Sequence, residues 1–380
     1  DLTTGLGNVP KGTVFPTSPP TIVGGTAMLS YWVTDGIEVG MASGGVRGYD
    51  ALTGALRWVW DPLRDPAALP AEGETYTRGT PNAWGVFSGD EELGLVYLGT
   101  GVTTPDYFGA HRTPELEEYA TAFVALDVLT GRPRWHFRTV HHDIWDYDIG
   151  SQPVLADIQK DGATVPALVG PTKRGQFFIL DRRTGAPIFP VEERTVPQGA
   201  AAGDFTAPTQ PYSPGFAIVA GEPLTERRMW GATPLDQLWC RIAFRKARYE
   251  GEFTPPGIED TLFYPGSAGV RGLMFANSLY MADIGRLIPR EEADRIAKAY
   301  GKGGSSESFA FPQKGTPYAM DRRVFLGPLG APCQQPPYGK LTAIDLASGE
   351  ERWSIPLGTA ERAGPLGLES RLPITMGGPN

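Results

Sequence analysis

The stretch ALDVLTGRPRW, residues 125–135, carries an apolar residue, an aspartate, two variable positions, Thr-Gly, and an aromatic residue four positions after the glycine. The same pattern returns in GYDALTGALRW (48–58), ILDRRTGAPIF (179–189) and AIDLASGEERW (343–353). Each copy predicts a strand, a tight turn and a second strand. The aspartate can cap the turn with its side chain, the glycine tolerates a positive φ, and the aromatic ring packs back between sheets. The chain is therefore built from repeats.

The spacing of these copies indicates the size of the repeated unit. The intervals between successive aspartates are 77, 54 and 164 residues, for Asp50, Asp127, Asp181 and Asp345. A unit of about 50 residues matches one four-stranded blade of a β-propeller, and the last interval is close to three such units. The longer first interval requires an insertion, which TPDYFGAHRTPELEEYA (104–120) supplies with a short helix near Pro114.

Two further helices interrupt the β pattern. One is predicted from Thr233-Pro234 to about Tyr249, and the other begins at Pro289 and ends at Gly301. An α/β doubly wound fold would need helices between most strands and a GxGxxG motif after a strand, and the sequence has neither. The prediction is an all-β fold with short helical insertions.

Composition supports this class and excludes others. The chain has 380 residues, too many for one hydrophobic core, and its 49 glycines and 36 prolines indicate many turns between short strands. A formal net charge of −9 with scattered Lys and Arg argues against nucleic acid as a partner. The start DLTTGLGNVPKG has no signal-peptide pattern, and no apolar run approaches roughly 18 residues. Any anchor or export signal is expected outside this sequence.

The cysteines exclude several metal and haem sites. Cys240 and Cys333 are the only two, which rules out a CxxCH haem attachment and a four-cysteine zinc or iron–sulfur site within this chain. They form either one long-range disulfide in an oxidising compartment or two buried free thiols. The sequence leaves both open. The four histidines lack zinc-ligand spacing, because His141 and His142 are adjacent and would point to opposite faces of a strand.

Four longer motifs carry a resemblance to a known family: TPNAW (80–84), GVTTPD (101–106), VHHDIWDYDIGSQP (140–153) and PTKRGQFFILDRRTG (171–185). Together with the repeat, they make nearly the whole chain resemble the membrane-bound dehydrogenases that use pyrroloquinoline quinone (PQQ), in the glucose and quinate/shikimate branch. The resemblance implies an eight-bladed propeller, of which residues 1–380 would form about five to six blades of one domain.

The same resemblance implies parts beyond this sequence. An N-terminal membrane anchor and the first blades would precede it, and the last blade would follow Gly377-Gly378. Between Gly269 and Arg271 the family usually carries a further strand segment, so this chain has either a deletion or missing residues there.

The resemblance also implies roles at a catalytic site. Asp146 would be the base that takes the proton of a substrate hydroxyl, in an environment that raises its pKa. Lys173 would stabilise negative charge on the quinone oxygens, and Trp84 would stack on the flat cofactor. Without the resemblance, each has an ordinary alternative: a turn aspartate, a surface lysine and a core tryptophan.

Further positions match the family's metal and cofactor contacts. Asp35 and Thr104 would lie near a bound Ca²⁺ or Mg²⁺, which polarises the quinone carbonyl as a Lewis acid, with cofactor oxygens completing the shell. Thr17 and Asp236 match additional cofactor contacts of related alcohol-oxidising quinoproteins. The histidines are expected to pack and form hydrogen bonds near Asp146.

The substrate prediction depends on Arg323 and on the segment DYDIGSQP (146–153), which resembles the quinate/shikimate branch more than the glucose branch. Glucose-oxidising relatives tend to have Asn in PYAMDRRVFLGPLG (317–330), where this chain has Arg323 beside Arg322. If Arg323 reaches the substrate, it would favour a carboxylate. The resemblance therefore implies oxidation of quinate or shikimate at the periplasmic face of the bacterial inner membrane, with ubiquinone as electron acceptor. For the substrate, the alternative is glucose or another polyol. For Arg323, the alternative is a surface Arg pair in a loop. For the protein as a whole, the alternative is a cofactor-free propeller that serves as an assembly scaffold.

Overall fold

The computed structural model describes residues 3–71, 73–263, 267–270, 275–300 and 309–358, with side chains left out for 267–270, 297–300 and 309–310. Antiparallel sheets dominate it, and few residues are helical. The all-β prediction is confirmed. Arg271 and the segment around Gly377-Gly378 lie outside the described residues.

The first part of the chain forms successive antiparallel sheets. The first four-stranded sheet consists of β2 (Thr21–Val23), β3 (Thr26–Leu29), β5 (Val46–Asp50) and β6 (Leu56–Trp60), while β1 (Val14–Phe15) pairs with β4 (Trp32–Val33). The second consists of β7 (Ser88–Asp90), β8 (Leu95–Gly99), β9 (Ala122–Asp127) and β10 (Pro133–Arg138), with the predicted short helix α1 (Pro114–Glu117) between β8 and β9. A three-stranded sheet follows, made of β11 (Val154–Lys160), β12 (Ala163–Pro171) and β13 (Phe177–Asp181).

The second part of the chain combines strands with two longer helices. It begins with the pair β14 (Glu192–Thr195) and β15 (Thr209–Tyr212), a 3₁₀ turn (Glu226–Arg228) and helix α2 (Pro234–Lys246). Then follow β16 (Thr261–Phe263), β17 (Ser267–Val270), β18 (Phe275–Leu279), β19 (Asp283–Pro289), α3 (Arg290–Tyr300), β20 (Phe309–Phe311), β21 (Tyr318–Val324), β22 (Gly339–Ile344) and β23 (Glu351–Pro356).

The last eight strands form two interleaved sheets. Their orders are β16-β19-β21-β20 and β17-β18-β22-β23. The interval of 164 residues is therefore not three simple consecutive units, because three strands of one sheet, β19, β20 and β21, lie between β18 and β22 of the other. A repeat spacing counts residues and cannot reveal which strands pair.

The repeated motif forms the predicted turns. In the copy at 125–135, Asp127 Oδ1 accepts hydrogen bonds from the backbone N–H groups of Leu129 and Thr130 at 3.1 and 3.0 Å. Gly131 follows with φ of 69°, a left-handed conformation that glycine adopts without steric cost. The other three copies use their aspartate and glycine in the same way.

In the first two copies of the motif, the aromatic residue connects one sheet to the next. Trp58 packs on Gly131, the turn glycine of the second sheet, where a Cβ would lie 2.5 Å from the indole. The Nε1 of Trp58 also donates a hydrogen bond to Val128 O at 3.0 Å. Trp135 packs on Gly185 of the third sheet in the same manner. The repeat therefore encodes the contact between neighbouring sheets as well as the turn within each.

The helical insertions match their predicted positions. Helix α2 begins after Thr233, whose Oγ1 accepts a hydrogen bond from Asp236 N, and α3 follows Pro289. Cys240 of α2 and Cys333 are joined by a disulfide, which answers the question that the sequence left open. Among the described residues, none of the helices combines the length and apolar character needed to span a bilayer.

Candidate active site

Asp146 lies in a loop that other buried groups hold in place. Its backbone is left-handed, with φ of 63°, a conformation that Asp tolerates better than most residues. Asp143, fully buried in the same loop, accepts hydrogen bonds from Trp145 N and Tyr147 N at 2.9 Å each and from Thr121 Oγ1 at 2.7 Å. Asp143 therefore fixes the backbone on both sides of Asp146.

Two cations hold the carboxylate of Asp146. Lys173 Nζ lies 2.7 Å from Oδ1, and Arg322 Nη1 lies 3.0 Å from Oδ2. The phenol of Tyr107 donates to the same Oδ2 at 3.4 Å and also contacts Arg322. Lys173 and Arg322 come from distant parts of the chain, so the tertiary fold assembles this group.

The protonation of Asp146 differs from the prediction. Burial raises the pKa of Asp146, but the charges of Lys173 and Arg322 outweigh this effect, and the net pKa lies below its usual range. For Lys173, burial opposes the charge, but Asp146 and Asp148 raise the pKa of the ammonium overall. The sequence prediction of a raised pKa for Asp146 is therefore wrong for this arrangement: the group is an ionised carboxylate and a weaker base than expected.

Trp84 lies beside this ion pair. Its indole Nε1 donates to Asp148 Oδ2 at 2.9 Å, and Lys173 Nζ lies 5.9 Å from the centre of its ring. The indole packs on Gly150, where a Cβ would come within 1.9 Å of the ring, so only glycine fits there. Thr17 Oγ1 donates to Trp84 O at 2.6 Å. Trp84 remains partly exposed, which leaves aromatic surface for a flat ligand.

Buried acidic groups surround the far side of the site. Burial raises the pKa of Asp35, Asp106 and Asp148, and their mutual repulsion together with that of Asp146 raises it further. Asp35 Oδ2 accepts a hydrogen bond from Asn82 Nδ2 at 3.2 Å. Two oxygens, Asn82 Oδ1 and Asp106 Oδ1, are buried without a hydrogen-bond partner.

These oxygens fit a divalent cation in part. Unsatisfied, buried carboxylate and amide oxygens are the hard donors that Ca²⁺ and Mg²⁺ prefer, and a cation would relieve the repulsion between the acids. Within the described ranges, no group of three or more His, Cys, Asp or Glu side chains is arranged to hold a metal ion by itself.

Thr104 is buried beside this group. Its Oγ1 donates to Val39 O at 2.9 Å, and its carbonyl lies 2.9 Å from His111 Nε2. The hydroxyl is thus used within the fold here, and a contact of Thr104 with metal or cofactor stays a prediction.

The predicted substrate residue, Arg323, lies on the face of its strand opposite to the one that reaches Asp146. Arg322 and Arg323 lie next to each other on β21, and successive side chains of a strand point to opposite faces. Arg322 faces the site with a side chain 17 % exposed, whereas Arg323 is 54 % exposed and 3.6 Å from Asp321. Arg323 is the surface residue that the sequence analysis kept as an alternative, and Arg322 is the one that reaches Asp146.

Asp236 has a structural role in this arrangement. Its Oδ2 accepts from Ala232 N at 2.9 Å and its Oδ1 from Leu329 N at 3.3 Å, which ties the start of α2 to a neighbouring loop. A cofactor contact for Asp236 therefore stays a prediction.

The two adjacent histidines differ in environment. His142 is buried, with Nε2 at 2.9 Å from Asp204 and Nδ1 at 3.5 Å from Glu117, and its ring stacks on Phe205. His141 is more exposed and pairs with Glu193 at 2.9 Å. Both form hydrogen bonds near Asp146, as predicted.

A cavity of about 160 Å³ adjoins Lys173. Its walls include Tyr147, Glu252, Tyr280 and the backbone around Gly221. Lys173 is thus in the wall of the cavity, whereas Asp146 and Trp84 are not among its lining residues.

Sequence reasoning missed several side chains of this site: Asn82, Asp106, Tyr107, Asp148 and Arg322. Four of them stand in or next to the quoted motifs TPNAW, GVTTPD and WDYD, so their presence could have been noted, but nothing in one sequence tells which polar residue of a motif points inward. Arg322 was named in the sequence analysis only as the neighbour of Arg323, and the Arg pair was the signal that could have indicated it.

Comparison with known proteins defines the class of protein. Residues 1–380 match the family model described as PQQ: glucose/ethanol/alcohol dehydrogenase, beta-propeller domain, and the chain belongs to this family. In solved structures it resembles the quinohemoprotein alcohol dehydrogenase of Comamonas testosteroni, with a TM-score of 0.53 at 20 % identity, covering 91 % of this chain and 47 % of that one. This likeness confirms the propeller fold.

Among curated relatives, the chain is 44 % identical to the glycerol dehydrogenase large subunit of Gluconobacter oxydans (strain 621H), over 100 % of this chain and 54 % of the relative. It is 41 % identical to the quinoprotein glucose dehydrogenase of Escherichia coli (strain K12), and 39 % to the quinate/shikimate dehydrogenase (quinone) of Acinetobacter baylyi (strain ATCC 33305 / BD413 / ADP1). Both comparisons cover 100 % of this chain and 49 % of the relative. The chain thus spans about half the length of the curated relatives it matches.

Proposed function

We propose that the protein is a PQQ-dependent dehydrogenase that oxidises a CH–OH group of a small polyhydroxy compound. The observation that carries this proposal is the ion pair between Asp146 and Lys173, 2.7 Å apart beside the ring of Trp84. Bound PQQ supplies a quinone that accepts two electrons as a hydride. Lys173 and Trp84 would hold it, and its oxygens would add to the metal donors of the protein.

Asp146 would accept the proton of the substrate hydroxyl. Lys173 and Arg322 lower the pKa of Asp146, so the carboxylate is ionised at neutral pH and free to take a proton. When the C–H hydrogen leaves with its electron pair and the O–H proton moves to Asp146, the alcohol becomes a carbonyl compound. A proton on Asp146 would weaken its attraction to Lys173, so the ammonium of Lys173 would be available to stabilise negative charge beside it.

A divalent cation, Ca²⁺ or Mg²⁺, would bind on the acidic side of the site. Asp35 was proposed from the sequence as a ligand, and the unsatisfied oxygens of Asn82 and Asp106 are further candidates. Thr104 is retained as a neighbour of this ion, and Thr17 and Asp236 as further cofactor contacts.

For the substrate, we propose a neutral polyol or sugar. Arg322 is already neutralised by Asp146 and by Asp283, at 3.0 and 2.5 Å. Arg323, on which the preference for an acid depended, lies on the exposed face. Neither arginine is free to bind a substrate carboxylate, whereas the hydroxyl groups of a polyol need only hydrogen bonds and no unpaired cation.

Quinate or shikimate is the second candidate. It is favoured by the 39 % identity to a protein named quinate/shikimate dehydrogenase (quinone), which covers the whole of this chain. The identities to proteins named for glycerol and for glucose are slightly higher, at 44 and 41 %.

The cellular compartment, the electron acceptor and the domain organisation are proposed from the same family. We propose the periplasmic face of the bacterial inner membrane, ubiquinone as the electron acceptor, and one propeller domain that includes residues 1–380. The disulfide between Cys240 and Cys333 is compatible with this oxidising compartment.

A substrate screen tests the proposal. The full-length protein is loaded with PQQ and Ca²⁺ and assayed with an artificial quinone acceptor on glycerol, glucose, quinate and shikimate. Faster turnover of glycerol or glucose is expected, and a preference for quinate would select the second candidate. A protein that binds no PQQ, as judged by absorbance, would be the scaffold that the sequence left as a rival.

A further inference from the structure

Helix α2 presents a row of large apolar side chains to solvent. Leu235, Leu238, Trp239 and Ile242 are 79, 54, 44 and 46 % exposed. Their spacing of three and four residues places them on one face of the helix. Isolated apolar residues are common on surfaces, but four adjacent large ones on one helix mark a contact surface. We call these four residues the α2 stripe.

The opposite face of α2 is attached firmly to the fold. Cys240 is buried and disulfide-bonded to Cys333, and the buried Asp236 holds the helix start to Leu329 N. Ala243 and Phe244 pack against the apolar cluster around the disulfide. The helix therefore cannot turn to bury the α2 stripe within its own domain without breaking these contacts.

Basic residues accompany the α2 stripe. Residues 234–246 contain Arg241, Arg245 and Lys246 but only one acid, Asp236, and that acid is buried. Arg245 and Lys246 are exposed at the end of the stripe, although Arg245 also pairs with Glu226 at 2.8 Å. This helix is thus locally positive in a chain whose net charge is −9.

We propose that the α2 stripe docks on the surface of a phospholipid bilayer that contains anionic lipids. An exposed apolar face with a tryptophan, edged by Lys and Arg, is the composition of helices that lie in a membrane interface. The apolar side chains would enter the headgroup region, and the cations would contact lipid phosphates. Charge complementarity favours this occupant over a symmetric pair of copies, because two α2 stripes that face each other would bring their cations together. The inference does not depend on the proposed enzymatic activity.

Quenching of Trp239 fluorescence by brominated lipids tests this contact directly. The full-length protein is mixed with vesicles of phosphatidylglycerol and phosphatidylcholine, with and without dibrominated phosphatidylcholine. The chain has nine tryptophans, so the signal of Trp239 is taken as the difference between wild type and Trp239→Phe. A membrane anchor elsewhere in the full-length protein would not produce this difference. We expect the Trp239 component to be quenched, and less so in pure phosphatidylcholine or at high salt.

The double variant Leu238→Gln/Ile242→Gln measures the apolar contribution. Removing two apolar side chains from an interfacial helix should lower the apparent partition coefficient by about tenfold. The partition coefficient is obtained from Trp239 quenching as a function of lipid concentration. Leu52→Gln is the matched control, since Leu52 is 97 % exposed on a repeat turn, and it should change nothing. Unchanged melting temperatures confirm that the variants fold.

Two results would overturn the proposal. One is a Trp239 component that brominated lipid does not quench. The other is an oligomer, or a complex with a partner protein, that the double variant dissociates while vesicles leave Trp239 unaffected. In the second case the α2 stripe would be a protein–protein interface.

Discussion

The carboxylate of Asp146 sits between two cations and a phenol, and this arrangement sets its chemistry. Lys173 and Arg322 keep it ionised, while Asp143 and the buried residues beside it hold the loop in a left-handed conformation. A base with a lowered pKa is weak, but it is ionised over a wide pH range. Its activity then depends on how strongly each cation holds it.

Replacing Arg322 with Gln separates the contribution of this cation. Arg322 lowers the pKa of Asp146, so its loss should raise that pKa and move the acid limb of the pH–rate profile to higher pH. We also expect kcat to fall by about tenfold or more, because Asp283 is left buried without its partner and the site is distorted. Arg323→Gln is the control on the opposite face of β21. A profile that does not move in Arg322→Gln would contradict the assignment.

His142 should make stability depend on pH. Burial lowers its pKa, but hydrogen bonds to Asp204 and Glu117 outweigh this and raise the pKa above the usual 6.5, in spite of the nearby Arg112. A raised folded-state pKa contributes stability that is fully present below pH 6.5 and is lost as the pH rises through the folded value. The melting temperature of His142→Gln should therefore fall further below wild type at pH 6 than at pH 9. An equal difference at both pH values would show that the imidazolium contributes nothing.

At this scale, the sequence predicted the main residues and missed their geometry. Asp146, Lys173 and Trp84 lie together as the motifs implied. The sequence did not indicate that Arg322, and not Arg323, contacts Asp146, because strand alternation depends on a register that one sequence does not reveal. The lowered pKa of Asp146 could not be predicted, because Arg322 reaches it across 176 positions of the chain.

At the scale of elements, the turn of each repeat is also a docking surface. Trp58 and Trp135 each cover the turn glycine of the following sheet, and Phe216 takes this place at Gly349. The motif thus provides both halves of the contact, a ring from one sheet and a glycine from the next. Trp353, the corresponding residue of the last copy, is 42 % exposed.

Two equivalent glycines distinguish docking from turn geometry. Gly54 and Gly131 occupy the same position with φ of 72° and 69°, but only Gly131 is covered by a tryptophan, and nothing described lies within 4 Å of a Cβ on Gly54. Gly54→Ala should cost about 1 kcal/mol of unfolding free energy from backbone strain. Gly131→Ala should cost about 1–3 kcal/mol more, because Trp58 must move. Equal costs in urea denaturation would contradict the docking role.

The sequence predicted the elements better than their order. The capped helix α2 and the turns were predicted from local signals, which act over a few residues. The interleaving of the last two sheets was not, because β18 pairs with β22 across an inserted helix and three inserted strands. Such pairing is decided by the packing of side chains far apart in sequence.

For the molecule as a whole, the disulfide closes a large loop. Cys240 and Cys333 are 93 positions apart and both fully buried, and they join α2 to the segment after β21. Replacing both cysteines with Ser should lower the free energy of unfolding by about 2–5 kcal/mol. The measurement is urea denaturation of wild type, with and without reductant, and of the double variant. A stability that neither change affects would mean that the bridge does not form in solution.

The candidate active site also depends on the fold of the whole molecule. Asp35, Asp106, Asp146, Lys173 and Arg322 come from widely separated segments, and only the sheet arrangement brings them together. The long motifs made their association predictable by resemblance. No pattern of spacing would have done so.

The most direct test is the turnover of Asp146→Asn loaded with PQQ and Ca²⁺. Asn is isosteric but cannot take a proton, so kcat should fall by about 10²–10⁴-fold while PQQ absorbance still shows a bound cofactor. Asp321→Asn, on the same strand as Arg322, is the control and should keep full activity. A variant Asp146→Asn that binds PQQ and oxidises its substrate at the wild-type rate would contradict the assignment of Asp146 as the base.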